Sequence, residues 1–183
     1  DTGAAIEVLG DLLEVDPQNQ RALTELAELC TMQGRWREAE GYLSTLAAIS
    51  EREPEVCRRA LLQRAQILQE ELGEEDLALQ VLEEARASFP GDMDALQRTL
   101  AIHRHRANWE EAVELLEQLA GAGTPAERVQ QLVELAELYS RTLNDDDGAR
   151  AALTRAATSC VETGEGIERL TDYFERRGDF EGL

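Results

Sequence analysis

A small residue followed four positions later by a leucine recurs along this chain at nearly even intervals. Ala5 leads Leu9 and Leu12, Ala39 leads Leu43 and Leu46, and Ala78 leads Leu82 and Ala85. Ala112 with Leu116 and Leu119, then Ala149 with Leu153 and Ala156, complete a series whose leading residues lie 34, 39, 34 and 37 positions apart. A second pattern alternates with the first: Leu23/Ala27/Cys30, Leu61/Ala65/Leu68, Leu96/Leu100/His103, Leu132/Ala136/Tyr139 and Ile167/Thr171/Phe174. Spacings of three and four put each set on one stripe of a helix. The small residue admits a neighbouring helix closely, and the large one fills the gap beside it. One helix pair cannot bury both stripes, so pairs must stack.

The punctuation agrees with this division. Gly34, Gly73 and Gly178 stand where a helix end calls for a left-handed residue, and Asn144 is the next-best choice. Asp16-Pro17 and Phe89-Pro90 close second helices, while Thr124-Pro125-Ala126-Glu127 has the cap, proline and glutamate of a helix start. The spacings of 39 and 37 imply two longer first helices, roughly 54–72 and 125–143. Leu, Glu, Ala and Arg number 27, 27, 25 and 18, against 13 for Val and Ile together, an excess of helix formers over β-branched residues. No Ser/Gly-rich linker breaks the series. The expected organisation is one array over 1–183, about five helix pairs with incomplete units at both ends.

These residues resemble the tetratricopeptide repeat. The matching positions are Leu23, Leu26, Ala27 and Cys30, then Gly34-Arg35-Trp36, Ala39, Leu43 and Leu46, with Asp16-Pro17 closing the preceding unit. The resemblance extends over essentially the whole chain and implies a right-handed, all-α solenoid of stacked antiparallel helix pairs. The alternation of two unit lengths departs from uniform 34-residue arrays.

Charge narrows the function. Thirty-eight acidic residues against 18 basic ones, all arginine, give a formal net charge of −20. Nucleic acid and anionic membrane would both be repelled. No run approaches the ~20 apolar residues of a membrane span. The start lacks the basic and apolar regions of a signal peptide, and the missing initiator Met points to a processed chain or a piece of a longer one. Cys30, Cys57 and Cys160 are odd in number and lack C-x-x-C spacing, which fits a reduced, cytoplasmic setting. A signal peptide on a parent chain would place it in the periplasm instead.

Candidate chemistry is thin. Asn144-Asp145-Asp146-Asp147-Gly148 invites a calcium-loop reading, but with Gly148 at loop position six, Leu143 and Thr154 fall where carboxylates are required. Acidic residues at a helix start account for it. His103 and His105 point to nearly opposite faces of a helix and cannot share a metal there. No nucleophile–base set and no phosphate loop can be assigned, so neither catalysis nor a cofactor is expected. Trp36, Trp109 and Phe180 recur in alternate units and fit corner packing better than a ligand platform.

The resemblance implies that first helices line a concave groove through the positions that the core stripe leaves free. These include Arg59, Gln66, Gln97, Arg104, His105 and Arg141, the expected partner-binding residues. They make the centre polar to basic, with an acidic end at Glu165, Glu168, Asp172 and Glu175. The Lys–Asn–Arg clamp by which some family members hold C-terminal carboxylates is absent, since there is no Lys and Asn19, Asn108 and Asn144 all fall at turns. The expected role is a non-catalytic scaffold for a protein or peptide partner. The alternative is a ligand- or peptide-sensing module attached to an output domain outside this stretch. Oligomeric state is left open, and the ends can stack on further repeats.

Overall fold

A computed structural model of the chain describes residues 2–177, and among them every regular element is helical. The sixth turn expected at Gly178-Asp179-Phe180 lies outside the described residues. The chain divides into two compact units, 1–90 and 91–183.

The first unit contains α1 (Thr2–Val15), α2 (Gln20–Met32), α3 (Trp36–Ile49), α4 (Pro54–Gln66) and α5 (Glu75–Ser88). Asn19 starts α2, its side-chain oxygen accepting from the Ala22 amide at 3.0 Å. Gly34 adopts φ +70° and ends α2, letting the Arg35 amide turn back to the Cys30 carbonyl at 2.9 Å. Consecutive helices pack antiparallel: α2 on α3, α3 on α4, α4 on α5. Leu23, Leu26, Ala27 and Cys30 of α2, Ala39, Leu43 and Leu46 of α3, and Leu61, Ala65 and Leu68 near the end of the next first helix are all buried. Each buried leucine is worth about 1.5–3 kcal/mol relative to exposure.

The longer first helices are real, and their extra residues sit in π-helical turns. α4 continues into Ile67–Glu71, where the Leu72 amide reaches the Ile67 carbonyl five residues back at 3.1 Å. Ile67 and Leu68, at the start of the wider turn, are both in the core, at 6% and 1% exposure.

The second unit repeats the scheme with α6 (Met93–His105), α7 (Trp109–Ala122), α8 (Pro125–Leu138), α9 (Asp146–Thr163) and α10 (Ile167–Arg177). Asp92 caps α6 through the Ala95 amide at 2.9 Å. Thr124 and Glu127 form the expected reciprocal cap on α8. α8 runs into a second π turn, Tyr139–Leu143, closed by Asn144 at φ 52°. Asp145 then caps α9, accepting from the Gly148 amide at 2.9 Å. The acidic cluster is thus a helix start. The turn between α6 and α7 places Ala107 at φ 57°, in the position that Gly34 fills in the first unit. A single core joins α6 to α9 through Leu96, Leu100, Leu115, Leu116, Leu119, Leu132, Leu135, Ala136 and Ala156.

His103 and the α10 stripe differ from the sequence expectation, Tyr139 and Leu153 are half-buried, and Ala5 and Leu12 of α1 are exposed. His103 is only half-buried, its Nδ1 3.4 Å from the Asn108 side-chain nitrogen, and Ile102 takes the fully buried place. In α10, Tyr173 is buried at 4% exposure and Ile167 is 61% exposed. Gly166 is the physical reason. It is left-handed at φ +78°, and a Cβ there would lie 2.7 Å from that of Val129. This tight approach to α8 sets where α10 begins and which face turns inward, so Leu170 packs against the core and Ile167 faces out.

Candidate functional site

In each unit the surface between first helices is an open cleft. In the first, α2 and the end of α4 enclose about 440 Å³, with Thr31, Met32, Trp36, Gln66, Ile67 and Glu71 among its walls. Met32 is 79% exposed because the α2 core stripe leaves it on the outer side, one position past the last buried turn. Trp36 begins α3 and is half-buried, so it serves the corner and the cleft wall together. Gln66 donates from Nε2 to Glu70 at 2.9 Å. Arg59 lies two turns before Gln66 on α4 and is exposed, with no ion pair or side-chain hydrogen bond among the described residues. It stands outside the cleft walls.

In the second unit α6 and α8 enclose about 450 Å³, lined by Arg104, Glu134, Glu137, Leu138, Arg141 and Thr142. Arg104 and Arg141 come together here from helices on either side. The Arg104 Nη2 donates to Glu134 at 2.9 Å, with 40% and 32% of the two side chains exposed. Arg141 is exposed within the π turn and has no partner among the described residues. Gln97 and His105 are exposed on α6 but outside these walls. A smaller cleft of about 150 Å³ continues between α8 and α10, where Glu134 and Glu137 meet Arg169 and Asp172.

The charge is therefore mixed along this unit, with Glu134 and Glu137 on α8 and both signs, Arg169, Asp172 and Arg176, on α10. Glu134 is the cleft residue paired with Arg104 that the sequence alone does not single out. Only its seven-residue spacing from Arg141, which puts both on one face of the long first helix, signals it. Other arginines are committed elsewhere. Arg155 of α9 holds Glu117 of α7 through two bonds of 2.7 Å, which lowers the Glu117 pKa. Arg37 grips Glu74 in the same manner and lowers its pKa.

Cys30, Cys57 and Cys160 are separately buried, and burial pushes each thiol pKa up. Among the described residues no three His, Cys, Asp or Glu side chains converge as metal ligands. No helix of the described residues is long and apolar enough to cross a membrane.

Comparison with known proteins bears on the fold. The sequence matches the tetratricopeptide repeat family over residues 1–65 and again over 59–92. Comparison with curated proteins gives no significant match. Among solved structures, MamA is similar with a TM-score of 0.63 at 17% identity, over 90% of this chain and 85% of that one. MamA from Desulfovibrio magneticus RS-1, as a piece from residue 41 to its end, gives 0.57 at 15% identity, over 88% and 87%. YrrB, described as a TPR protein with an unusual peptide-binding site, gives 0.58 at 13%, over 92% and 82%. At such identities the likeness is one of fold. With helix pairs in the repeat's register, its turn residues in their expected left-handed conformations and the family matched across the first half, the chain belongs to the tetratricopeptide repeat proteins.

Proposed function

We propose that this chain is a non-catalytic scaffold that holds a peptide or partner protein along the free faces of its first helices. Arg59 and Gln66 serve in the first unit, and Gln97, Arg104, His105 and Arg141 in the second. The observation that carries the reading is the α6–α8 cleft, where two arginines from different helices line one open space. A guanidinium can fork onto a carboxylate or onto backbone carbonyls of an extended chain. The Arg104–Glu134 pair does not oppose this. An ion pair so exposed is worth about 0–1 kcal/mol, so an incoming carboxylate can take over the guanidinium at small cost. YrrB's described peptide-binding site, on a similar fold, supports the same mode.

The test uses fluorescein-labelled acidic and neutral peptides of extended sequence, read by anisotropy. Arg104→Glu should abolish binding of the acidic set, and Arg141→Glu and Arg59→Glu should weaken it. Affinity should fall as salt rises, since exposed charges are screened beyond ~10 Å at 0.1 M. Arg52→Glu, exposed on the turn before α4, should bind as the parent does. Equal losses at Arg52 and Arg104 would move the interaction away from these clefts.

A further inference from the structure

We infer that the cleft between α2 and the end of α4 seats a partner segment in which a bulky apolar side chain stands beside a Lys or Arg. The inference rests on the scaffold reading and assigns the partner's chemistry in the first unit, where it differs from that of the α6–α8 cleft. α2 and α4 are successive first helices, and α3 packs against both of them. α1 precedes this group and α5 follows it, so the opening lies inside the unit and belongs to the fold.

The polar walls divide into committed and free groups. The Thr31 hydroxyl donates to the Ala27 carbonyl at 2.7 Å, and Gln66 donates to Glu70. Glu28 on α2 and Glu71 at the end of the π turn are both exposed. Neither has an ion pair or a side-chain hydrogen bond among the described residues. The side-chain amide of Gln63 is equally free. Among the described residues no cation lines the cleft. The arginines next to wall residues in sequence are held by other carboxylates: Arg35 by Glu38, Arg37 by Glu74 and Arg64 by Glu40. Arg59 stands outside the walls, two turns before Gln66.

The remaining walls are apolar. Leu43 and Ile67, 3% and 6% exposed, are core residues at the bottom of the cleft, while Met32 at 79% and the half-buried Trp36 stand at its edge. A volume of about 440 Å³ has room for an anchoring side chain, the kind of contact that carries most of the energy in a small interface. Two uncompensated carboxylates beside it, in a chain of net charge −20, attract a cation and turn away an anion. A purely cationic partner would leave Met32 and the cleft bottom in water. A purely apolar one would leave both carboxylates without a counter-charge. The fit therefore calls for the two groups close together, and an extended segment supplies them while offering its backbone to Gln63.

Anisotropy of the full chain with a fluorescein-labelled Gly/Ser peptide carrying one Phe next to two Lys tests this. Two companion peptides put Ser in place of the Phe, or Glu in place of both Lys. The first should bind, and each companion should lose binding. Met32→Ser should weaken it about tenfold with unchanged circular dichroism, since Met32 has little packing to lose. Glu28→Gln and Glu71→Gln should each weaken it about two- to fivefold and flatten its fall with salt. Glu83→Gln, exposed on α5 and outside the walls, should bind as the parent does. In a Trp109→Phe chain Trp36 is the one tryptophan left, and its emission should change on binding. Equal binding of the Ser companion, or equal losses at Glu83 and Glu28, would overturn the inference and leave only bulk attraction of opposite charges. Binding without a change in Trp36 emission would overturn it too, by placing the segment elsewhere. Absence of binding would also overturn it. The scaffold reading would then stand alone if the acidic peptides still bind and Arg104→Glu still abolishes that binding, and would fall with it if they do not.

Discussion

Ala107→Gly should make the protein more stable, although it deletes a methyl group and touches no partner. Ala107 ends α6 at φ 57°, a region where a Cβ crowds the following carbonyl at a cost of about 1–2 kcal/mol. Glycine escapes that crowding but loses more freedom on folding, a term of roughly 0.5–1 kcal/mol. The difference leaves a net gain of about 0.5–1 kcal/mol. The reverse change is available at the matching turn of the first unit. A Cβ on Gly34 would meet nothing closer than 3.9 Å, so Gly34→Ala tests φ +70° alone and should cost about as much as Ala107→Gly gains. Urea unfolding followed by circular dichroism at 222 nm (a standard helix signal) reads both. With slopes near 1–3 kcal/mol/M, the midpoints should move by a few tenths of a molar in opposite directions at unchanged slope. If Ala107→Gly is neutral or harmful while Gly34→Ala is harmful, the strain assigned to Ala107 is not there. Harmless changes at both turns would show that left-handed geometry does not limit these helix ends at all.

Three further outcomes rest on packing and ionisation. Ala65→Leu and Ala136→Leu, at sites 1% and 0% exposed, should each destabilise by about 1–3 kcal/mol through overpacking, and unchanged melting of both would refute the close helix approach. Glu117, held below the ordinary carboxylate range by Arg155, binds fewer protons folded than unfolded. Its contribution is complete above the unfolded pKa of about 4.3 and is lost as pH falls through the lowered folded value. The melting temperature of the parent should therefore drop more steeply below about pH 4.3 than that of Glu117→Gln, and parallel profiles would contradict the pair. The three buried thiols should react with a thiol reagent at mildly alkaline pH only as fast as the protein opens, so prompt labelling of the native chain would show that they are accessible.

The stripes of α2 through α9 were legible because a core position leaves its mark on residue type. Ala39, Ala78, Ala112 and Ala149 are small where helices touch, and all four are buried. The turn residues were legible for a similar reason, since Gly34, Gly73 and Asn144 are types that tolerate positive φ. Ala107 breaks that rule and so gave no sign of its conformation. α10 misled because its stripe was read from spacing alone, whereas the Gly166–Val129 approach is a contact between residues 37 apart. The clefts were half legible. Exposed first-helix positions could be named from the stripe, but which of them share a space depends on helix–helix geometry. That geometry brought Arg104 and Arg141 together, added Glu134, and left Gln97 and His105 on open helix surface.

The two π turns have a consequence for how such a chain can change over time. Each takes up the last stripe residue of its first helix, Leu68 in one and Tyr139 in the other, and places the extra residues after it. Insertions there alter spacing in sequence without altering phase in space. Repeat length is consequently free to drift just past Leu68 and Tyr139, where the stripes end. A duplication or a designed graft of this array should keep Ile67–Glu71 and Tyr139–Leu143 as its splice points, because those are the joints where the backbone already accommodates an irregular count.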